Sequence, residues 1–239
     1  MVTLLLVAVT MIVSLTITPI VIAISKRLNL VDKPNFRKVH TKPISVMGGT
    51  VILFSFLIGI WIGHPIETEI KPLIIGAIIM YVLGLVDDIY DLKPYIKLAG
   101  QIAAALVVAF YGVTIDFISL PMGTTIHFGF LSIPITVIWI VAITNAINLI
   151  DGLDGLASGV SAIGLITIGF IAILQANIFI TMICCVLLGS LIGFLFYNFH
   201  PAKIFLGDSG ALMIGFIIGF LSLLGFKNIT IIALFFPCL

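Results

Sequence analysis

The sequence predicts an all-α membrane protein whose helices cross the bilayer several times. Of its 239 residues, 62% are hydrophobic and only 9% are charged, whereas an average soluble domain is about 25% charged. A soluble fold cannot cover its surface with so few charges, and a disordered chain needs low hydrophobicity and high charge. We therefore treat residues 1–239 as a single integral membrane domain. The net charge of +1 also argues against a nucleic-acid partner.

Apolar runs of membrane-spanning length recur along the whole chain. A transmembrane helix needs about 20 apolar residues, with roughly 17–25 tolerated. A ninth run begins near Ile229 and reaches only to Leu239, so the chain is expected to stop inside a helix. The eight runs before it, several of them short, are predicted as full spans: Thr3–Ser25, Val46–Gly63, Pro72–Val86, Leu98–Val113, Phe130–Ile147, Leu156–Leu174, Ile178–Phe199 and Leu212–Phe226.

The basic residues predict the orientation of these spans. When the loops are placed alternately on two sides, nine of the eleven basic residues fall on one side, and Lys71 and Lys227 fall on the other. Cytoplasmic loops carry such an excess of Lys and Arg, so the N-terminus is predicted outside. Between spans four and five, Ile115–Gly129 has turn residues and a β-favouring run, which predicts a small outer β-hairpin. The nine residues on the predicted cytoplasmic side are Lys26, Arg27, Lys33, Arg37, Lys38, Lys42, Lys93, Lys97 and Lys203.

A first polar cluster ends span three with the adjacent carboxylates Asp87 and Asp88. The C-terminus of a helix carries partial negative charge, so acids there are electrostatically unfavourable. Asp87 and Asp91 are also four residues apart, which places like charges on one face. Bound Mg²⁺, or basic partners such as Lys93 and Lys97, would compensate. The alternative is a solvated turn with salt bridges within the helix.

A second cluster places amides and acids at intervals of three residues. Asn145, Asn148, Asp151 and Asp154 would form one stripe if the helix continued through them. Glycines between and after the two acids make a continuous helix doubtful and would let a ligand approach the backbone. In the alternative interpretation, Asp154 caps span six and the asparagines form hydrogen bonds between helices.

Two further segments lie on the same predicted side. Asp208 comes shortly before span eight in the run Phe205–Gly210, which is also compatible with an ordinary helix start. The basic loop 32–49 ends in Gly48-Gly49 at the start of span two. This loop either sets the membrane topology or captures a phosphorylated, anionic substrate.

Together these motifs resemble the polyprenyl-phosphate N-acetylhexosamine-1-phosphate transferases. The resemblance runs from about residue 32 to residue 216 and rests on Leu-Val-Asp-Asp, Asn-x-x-Asn-x-x-Asp-Gly-x-Asp-Gly-Leu and Phe-Leu-Gly-Asp-Ser-Gly in this order. The first basic loop is more similar to the N-acetylglucosamine branch than to the phospho-N-acetylmuramoyl-pentapeptide transferases, which are the alternative. The family has ten spans and a histidine-rich cytoplasmic loop after span nine. This sequence is expected to lack that loop and the last span.

The resemblance implies an enzyme of the cell membrane whose active site faces the cytoplasm. It would transfer a sugar 1-phosphate, foremost N-acetylglucosamine 1-phosphate, from a UDP-sugar to polyprenyl phosphate and release UMP. This would be the first membrane step of a cell-envelope polysaccharide. The implied partners are the UDP-sugar, polyprenyl phosphate and membrane lipid, and the sequence leaves homodimer formation open. Both direct transfer and a two-step route through an aspartyl-phosphate are compatible with the sequence.

The resemblance also assigns expected roles to individual residues. Asp208 is the favoured ligand of Mg²⁺, or of Mn²⁺ in its place, and Asp87 and Asp88 are further candidate ligands. Asp87 is the expected base or orienting group for the lipid phosphate, with Asp88 beside it, so these three acids are the catalytic candidates. The candidate substrate contacts are Lys38, His40 and Lys97 for phosphates, Phe205 for stacking on uracil, Asn198, Asp154 and Lys42 for the edge of uracil, and Asn148 and Asp151 for the ribose and diphosphate.

Two other classes compete with this assignment. Intramembrane prenyltransferases also hold Mg²⁺-diphosphate on Asp-rich sequences, but they do not explain the Asn/Asp-Gly stripe. A cation transporter should place acids near the bilayer midplane, whereas the acids here fall at helix ends or in loops.

Overall fold

The computed structural model describes residues 2–32, 43–119 and 125–226, and within these ranges it contains eight α-helices. Four short strands and one short 3₁₀ helix, Gly129–Leu131, join them. The helices are α1 (Val2–Arg27), α2 (Gly48–Gly63), α3 (Ile70–Tyr90), α4 (Pro94–Phe110), α5 (Ser132–Ile150), α6 (Leu156–Leu174), α7 (Ile178–Asn198) and α8 (Gly207–Phe226). The strands are β1 (Val31–Asp32), β2 (Ile44–Ser45), β3 (Phe117–Ser119) and β4 (Thr125–His127).

Six of the described helices are long and apolar enough to cross a membrane, namely α1, α3, α5, α6, α7 and α8. The helices α2 and α4 are apolar but shorter, with 16 and 17 residues. The prediction of an all-α, multi-pass membrane protein is therefore confirmed. The count of eight full spans stays a prediction, and the predicted ninth span lies outside the described residues.

Three helices extend further towards the polar clusters than their apolar runs indicate. Helix α3 continues through Asp87 and Asp88 to Tyr90, and α8 begins at Gly207 and so includes Asp208. Helix α4 begins at Pro94, because proline has the backbone angle of a first helical residue and needs no N–H partner there. Apolarity marks the part of a helix inside the bilayer, whereas these helices also carry their polar end turns.

Helix α8 forms the centre of the bundle. It packs against α2, α3, α5 and α6, while α7 packs against α1, α2 and α6. The side chains of Phe216 and Phe220 on α8 are fully buried and stack with their ring centroids 6.4 Å apart. Because α8 is surrounded on several sides, its first turn is fixed by contacts with several other elements.

The described strands form two small antiparallel sheets. Strands β3 and β4 pair Phe117 with His127, which confirms the predicted hairpin; its tip, residues 120–124, lies outside the described residues, and its outer location stays a prediction. Strands β1 and β2, which the sequence did not indicate, pair Val31 with Ser45. Ser45 also bridges to Ile204 just before α8, so this second sheet connects the end of α1 to the start of α8.

Gly84 allows α3 to approach the first turn of α8 closely. A Cβ atom on Gly84 would overlap the backbone of Asp208 and Ser209. We therefore expect Gly84→Ala to push the helices apart and to lower the free energy of unfolding by roughly 1–3 kcal/mol, as overpacking does. Thermal unfolding in detergent measures this effect.

Gly159→Ala on α6 is the matched control, because a Cβ there would have no neighbour within 4 Å. This variant should be as stable as the parent, or more stable by about 0.5–1 kcal/mol, because alanine favours the helix more than glycine does. Equal stability of the two alanine variants would contradict the close approach of α3 to α8.

Candidate active site

Four helix ends meet at the carboxylate of Asp208, in the first turn of α8. Asp87 comes from the last turn of α3, Lys97 from the first turn of α4, and Asn148 from the last turn of α5. We call these four residues the Asp208 cluster. The structure thus brings together residues from three of the four polar segments that the sequence singled out.

The backbone before α8 is bound to the start of α2. The amides of Gly48 and Gly49 donate to the carbonyls of Phe205 and Leu206, at 3.0 and 2.9 Å. The Phe205 amide in turn donates to the carbonyl of Ser45 at 2.8 Å. Gly207 follows with a φ of +73°, and a Cβ there would overlap the carbonyl of Val46. Only glycine fits this position without strain.

Asp88 holds the N-terminus of α8. The backbone N–H of Asp208 donates to Asp88 Oδ1 at 2.7 Å, and that of Ser209 donates to Asp88 Oδ2 at 3.0 Å. The first amides of a helix have no partner within it and carry partial positive charge, so a carboxylate stabilises them. This cap comes from another helix, α3. The ordinary interpretation of Asp208 as a helix start is right in part, but its own side chain points into the cluster.

Lys97 connects two of the carboxylates. Its Nζ lies 2.7 Å from Asp87 Oδ2 and 2.9 Å from Asp208 Oδ2. It thus supplies the basic partner that the sequence required for Asp87, whereas Lys93, the other candidate, lies over the ring of Tyr95. Asp87 Oδ1 accepts the backbone N–H of Leu92 at 2.8 Å, which closes the turn after α3.

The two acids differ in access to a ligand. The side chain of Asp87 is 6% exposed and that of Asp208 is 34% exposed. Asn148 Nδ2 donates to Asp208 Oδ1, so both oxygens of Asp208 already have a donor. Asp208 is therefore the carboxylate of the cluster that a polar ligand reaches most easily, and Asp87 is held mainly through Lys97 and Leu92.

Asp151 adds a further negative group next to the cluster. It follows the last residue of α5, and burial raises the pKa of its carboxyl to about 7, with a further contribution from the negative charges of Asp208 and Asp88. Among the described residues, Lys97 is the one cation paired with an acid of the cluster. A bound cation would therefore favour ionised Asp151, and the arrangement is suited to attract one.

Asp154 and Asn198, which were expected at the edge of uracil, hold the loop before α8. Asp154 Oδ2 accepts the backbone N–H of Ala202 at 3.0 Å and lies 2.9 Å from His200 Nδ1. It does not cap α6, which begins after Gly155 without a side-chain cap. The second interpretation of Asp154, as a helix cap, is therefore wrong.

Asn198 is 3% exposed and both ends of its side-chain amide have partners. Its Oδ1 accepts the hydroxyl of Ser158 at 3.0 Å, and its Nδ2 donates to the carbonyl of Ile204 at 2.9 Å. Direct contact with a base would require these bonds to break. The position of Asn198 therefore suits support of the loop that carries Phe205, whose side chain is half-buried.

Three predicted phosphate or uracil contacts, Lys38, His40 and Lys42, lie outside the described residues.

The sequence motifs did not single out Gln101, which pairs with Asn145 directly behind the cluster. The interpretation of the asparagines as partners between helices is right for Asn145, which pairs with Gln101 of α4, and for Asn148, which donates to Asp208 of α8. The spacing Lys97-x-x-x-Gln101 was the available signal, because residues four apart share one face of a helix.

The residues that could hold a metal ion are those of the cluster. Within the described ranges, no group of three or more His, Cys, Asp or Glu side chains is arranged as a ready metal site. Mg²⁺ usually binds through one or two carboxylates together with water and substrate phosphates, and not in a cage of protein ligands alone. Asp208 and Asp87 fit this mode. Asp88 fits it less well, because both of its oxygens accept backbone amides of α8, which are fixed by the helix. The donors to Asp208 are side chains, Lys97 and Asn148, which can turn towards an incoming ligand.

Comparison with known proteins identifies the family. Residues 71–226 match the model of glycosyl transferase family 4. The chain is 45% identical over 226 residues to a probable undecaprenyl-phosphate N-acetylglucosaminyl 1-phosphate transferase of Bacillus subtilis, covering 93% of this chain and 63% of the relative. It is 37% identical over 205 residues to a phospho-N-acetylmuramoyl-pentapeptide-transferase of Wolbachia pipientis, covering 80% of this chain and 63% of the relative.

A decaprenyl-phosphate N-acetylglucosaminephosphotransferase of Mycobacterium leprae is 34% identical over 218 residues, covering 83% of this chain and 55% of the relative. The chain thus spans between about half and two thirds of the length of these relatives. The family match includes Asp87, Lys97, Asn148 and Asp208, the complete cluster around the start of α8. The chain therefore belongs to glycosyl transferase family 4.

Proposed function

We propose that the full gene product transfers N-acetylglucosamine 1-phosphate from UDP-N-acetylglucosamine to a polyprenyl phosphate and releases UMP. The observation that carries this proposal is the Asp208 cluster, where a partly exposed carboxylate, a buried carboxylate and a lysine meet at one helix start. Both substrates carry several negative charges, so a site for them needs cations and donors close to a metal-binding acid. The name of the Bacillus relative supports this pair of substrates.

In the proposed reaction, an oxygen of the lipid phosphate attacks the β-phosphorus of the UDP-sugar. A new P–O–P linkage forms between the lipid phosphate and the sugar phosphate, the original phosphoanhydride bond breaks, and UMP leaves with its electron pair. Such a transfer depends mainly on positioning and on stabilisation of charge. The second pKa of a phosphate monoester is about 6, so the acceptor is largely dianionic at neutral pH. Asp87 then needs to orient the acceptor more than to deprotonate it.

Lys97 has a direct role in this proposal. An ammonium group has three N–H donors, and two of them point at Asp87 and Asp208. The third would take a phosphate oxygen of the incoming substrate. Asn148, which already donates to Asp208, would keep that carboxylate turned towards the ligand.

Mg²⁺, or Mn²⁺ in its place, would be held by Asp208, with Asp87 as the second candidate ligand. When bound, the ion would neutralise the charge of the diphosphate and polarise its phosphoryl oxygens. Asp88 is assigned here to holding α8 and not to the metal, since α8 occupies both of its oxygens. Asp151, with its raised pKa, would face the ribose–diphosphate part of the nucleotide.

The alternative donor substrate is a UDP-N-acetylmuramoyl-pentapeptide, because one relative carries the name of that transferase. The higher identity of 45% to the Bacillus relative and the first basic loop of the sequence favour N-acetylglucosamine. The match to glycosyl transferase family 4 and the name of the Bacillus relative favour a sugar-phosphate transferase over the prenyltransferase and the cation transporter.

The direct test is release of UMP by the purified full gene product. With Mg²⁺ and undecaprenyl phosphate, UDP-N-acetylglucosamine should yield UMP, and the pentapeptide donor should yield far less. Asp208→Asn should abolish turnover while the protein still inserts into the membrane, and Asp116→Asn, on the hairpin segment far from the cluster, should leave turnover unchanged. Release of UMP from the pentapeptide donor alone would support the alternative donor substrate. Near-normal turnover of Asp208→Asn would show that Asp208 only starts the helix and does not take part in the reaction.

The role of Asp88 as a cap predicts a loss in both stability and turnover. In Asp88→Asn, one oxygen still accepts an amide of α8, but the new NH₂ group faces the other amide, and two donors repel. Loss of a charge-assisted hydrogen bond costs about 1.5–3 kcal/mol. Thermal unfolding should therefore shift downwards, and kcat should fall by about tenfold or more.

Asp91→Asn is the matched control for Asp88→Asn. Asp91 is exposed, three residues away, and its φ of 51° suits asparagine well. The control should keep the stability and turnover of the parent. If Asp88→Asn behaved like Asp91→Asn, the cap would not be important for the site.

The proposed topology places the N-terminus outside and the Asp208 cluster at the cytoplasmic face. With Cys184, Cys185 and Cys238 replaced by alanine, single cysteines are introduced at Lys93, Lys203 and Glu67, of which all three are exposed. An impermeant thiol reagent should label only position 67 in intact cells, because positions 93 and 203 lie in the predicted cytoplasmic loops. Labelling at position 203 from outside would reverse the topology.

A further inference from the structure

A reciprocal pair of amides joins α4 and α5 one helical turn from the Asp208 cluster. Gln101 Nε2 donates to Asn145 Oδ1 at 3.2 Å, and Asn145 Nδ2 donates to Gln101 Oε1 at 2.6 Å. Asn145 Nδ2 also donates to the carbonyl of Val141 on its own helix at 2.8 Å. Gln101 is 1% exposed and Asn145 is half-buried, so water has no access to the Gln101 side of this pair.

The pair lies directly behind the two residues that reach Asp208 from these helices. Gln101 is four residues after Lys97 on α4, and Asn145 is three residues before Asn148 on α5. At such spacings the side chains share one face of a helix. The same two helices are thus joined to each other by the amide pair and, one turn further along, to Asp208 by Lys97 and Asn148.

A reciprocal pair controls more than the distance between the two helices. Each amide is donor and acceptor at once, so a slide of α4 along α5 breaks both bonds together. The amide of Gln101 would then be buried without a partner, which costs about 1–3 kcal/mol. An apolar contact at this depth would tolerate such a slide, because apolar packing has no direction. The amide pair therefore fixes the register between Lys97 and Asn148.

We propose that Gln101 and Asn145 are positioning residues that hold α4 and α5 in register, so that Lys97 and Asn148 reach the Asp208 carboxylate at the same time. Neither amide touches the cluster, and both act through their helices. The link to turnover rests on the function proposed above, whereas the geometric part concerns only the distances from Lys97 to Asp87 and Asp208.

The test compares two double variants. In Gln101→Leu/Asn145→Leu, side chains of similar size keep the packing but remove both hydrogen bonds. In Gln101→Asn/Asn145→Gln, the amides are exchanged and the combined length of the two side chains is kept. Tyr81→Phe is the control, because it removes a different hydrogen bond between helices, from Tyr81 to Thr50 at 2.9 Å, away from α4 and α5.

The first measurement does not depend on activity. A carbodiimide activates a carboxylate, and a nearby amine then displaces the urea and forms an amide bond. Because Lys97 Nζ lies within 3 Å of two carboxylates, mass spectrometry should find Lys97 linked to Asp87 or Asp208 in the parent. The yield should fall severalfold in the leucine pair, recover in the exchanged pair and stay unchanged in Tyr81→Phe.

The second measurement is UMP release by the same variants of the full gene product. Misplacement by about 1 Å can reduce a rate by about a hundredfold, so kcat of the leucine pair should fall strongly, with little change in KM or thermal stability. The exchanged pair should regain turnover.

Parental cross-linking in the leucine pair, an equal loss in Tyr81→Phe, or an exchanged pair no better than the leucine pair would overturn the proposal. A parent that cross-links but releases no UMP would instead contradict the proposed function, and the cross-linking yields would still decide the positioning role.

Discussion

The candidate site depends on one interaction between helices, the contact of the Asp88 carboxylate with the first amides of α8. It pairs the partial positive charge of a helix N-terminus with a full negative charge, which is favourable where little water is present. Because Asp88 belongs to α3, the same contact fixes the end of one helix against the start of another. Asp87 and Asp208 then both lie within 3 Å of Lys97 Nζ. Gly84 and Gly207 allow the backbones to come close enough for this contact.

Burying the charged groups of the cluster at helix ends of a membrane protein costs free energy. Removing ions from water costs several kcal/mol per ion, and a buried ion pair often contributes little net stability. Two acids that share one lysine, with Asp151 next to them, therefore indicate a site built for a ligand more than for stability. The raised pKa of Asp151 points in the same direction, because part of its cause is the negative charge of Asp208 and Asp88. A polyanionic substrate together with a divalent cation would complete the balance of charge.

The bilayer-spanning parts of this fold could be predicted because apolarity alone marks them. Spans predicted from apolarity end at the first charged residue. The predicted span three therefore ended before Asp87, and the predicted span eight began after Asp208. The β1–β2 sheet was missed because strands of two residues have no detectable pattern. Its bridge from Ser45 to Ile204, like the backbone bonds that fix Gly48, joins segments far apart in the chain.

The motifs indicated which acids belong to the candidate site, but not which role each acid has. Adjacent carboxylates at 87 and 88 look equivalent in sequence, whereas a helix turns by about 100° per residue, so one faces Lys97 and the other faces α8. Likewise, nothing in the local sequence shows that Asn198 is fully engaged by Ser158 and Ile204. Pairs such as Gln101 and Asn145, 44 residues apart, appear only when the helices are packed together.

The central claim is that a diphosphate and its metal ion bind at the start of α8, held by Asp208 and Lys97. A structure of the full gene product with UDP-N-acetylglucosamine and Mn²⁺, with the ion located by its anomalous scattering, tests this most directly. The account predicts an anomalous peak within coordination distance of an Asp208 oxygen, with the diphosphate between it and Lys97. A peak elsewhere, or a nucleotide bound away from the four helix ends, would contradict it.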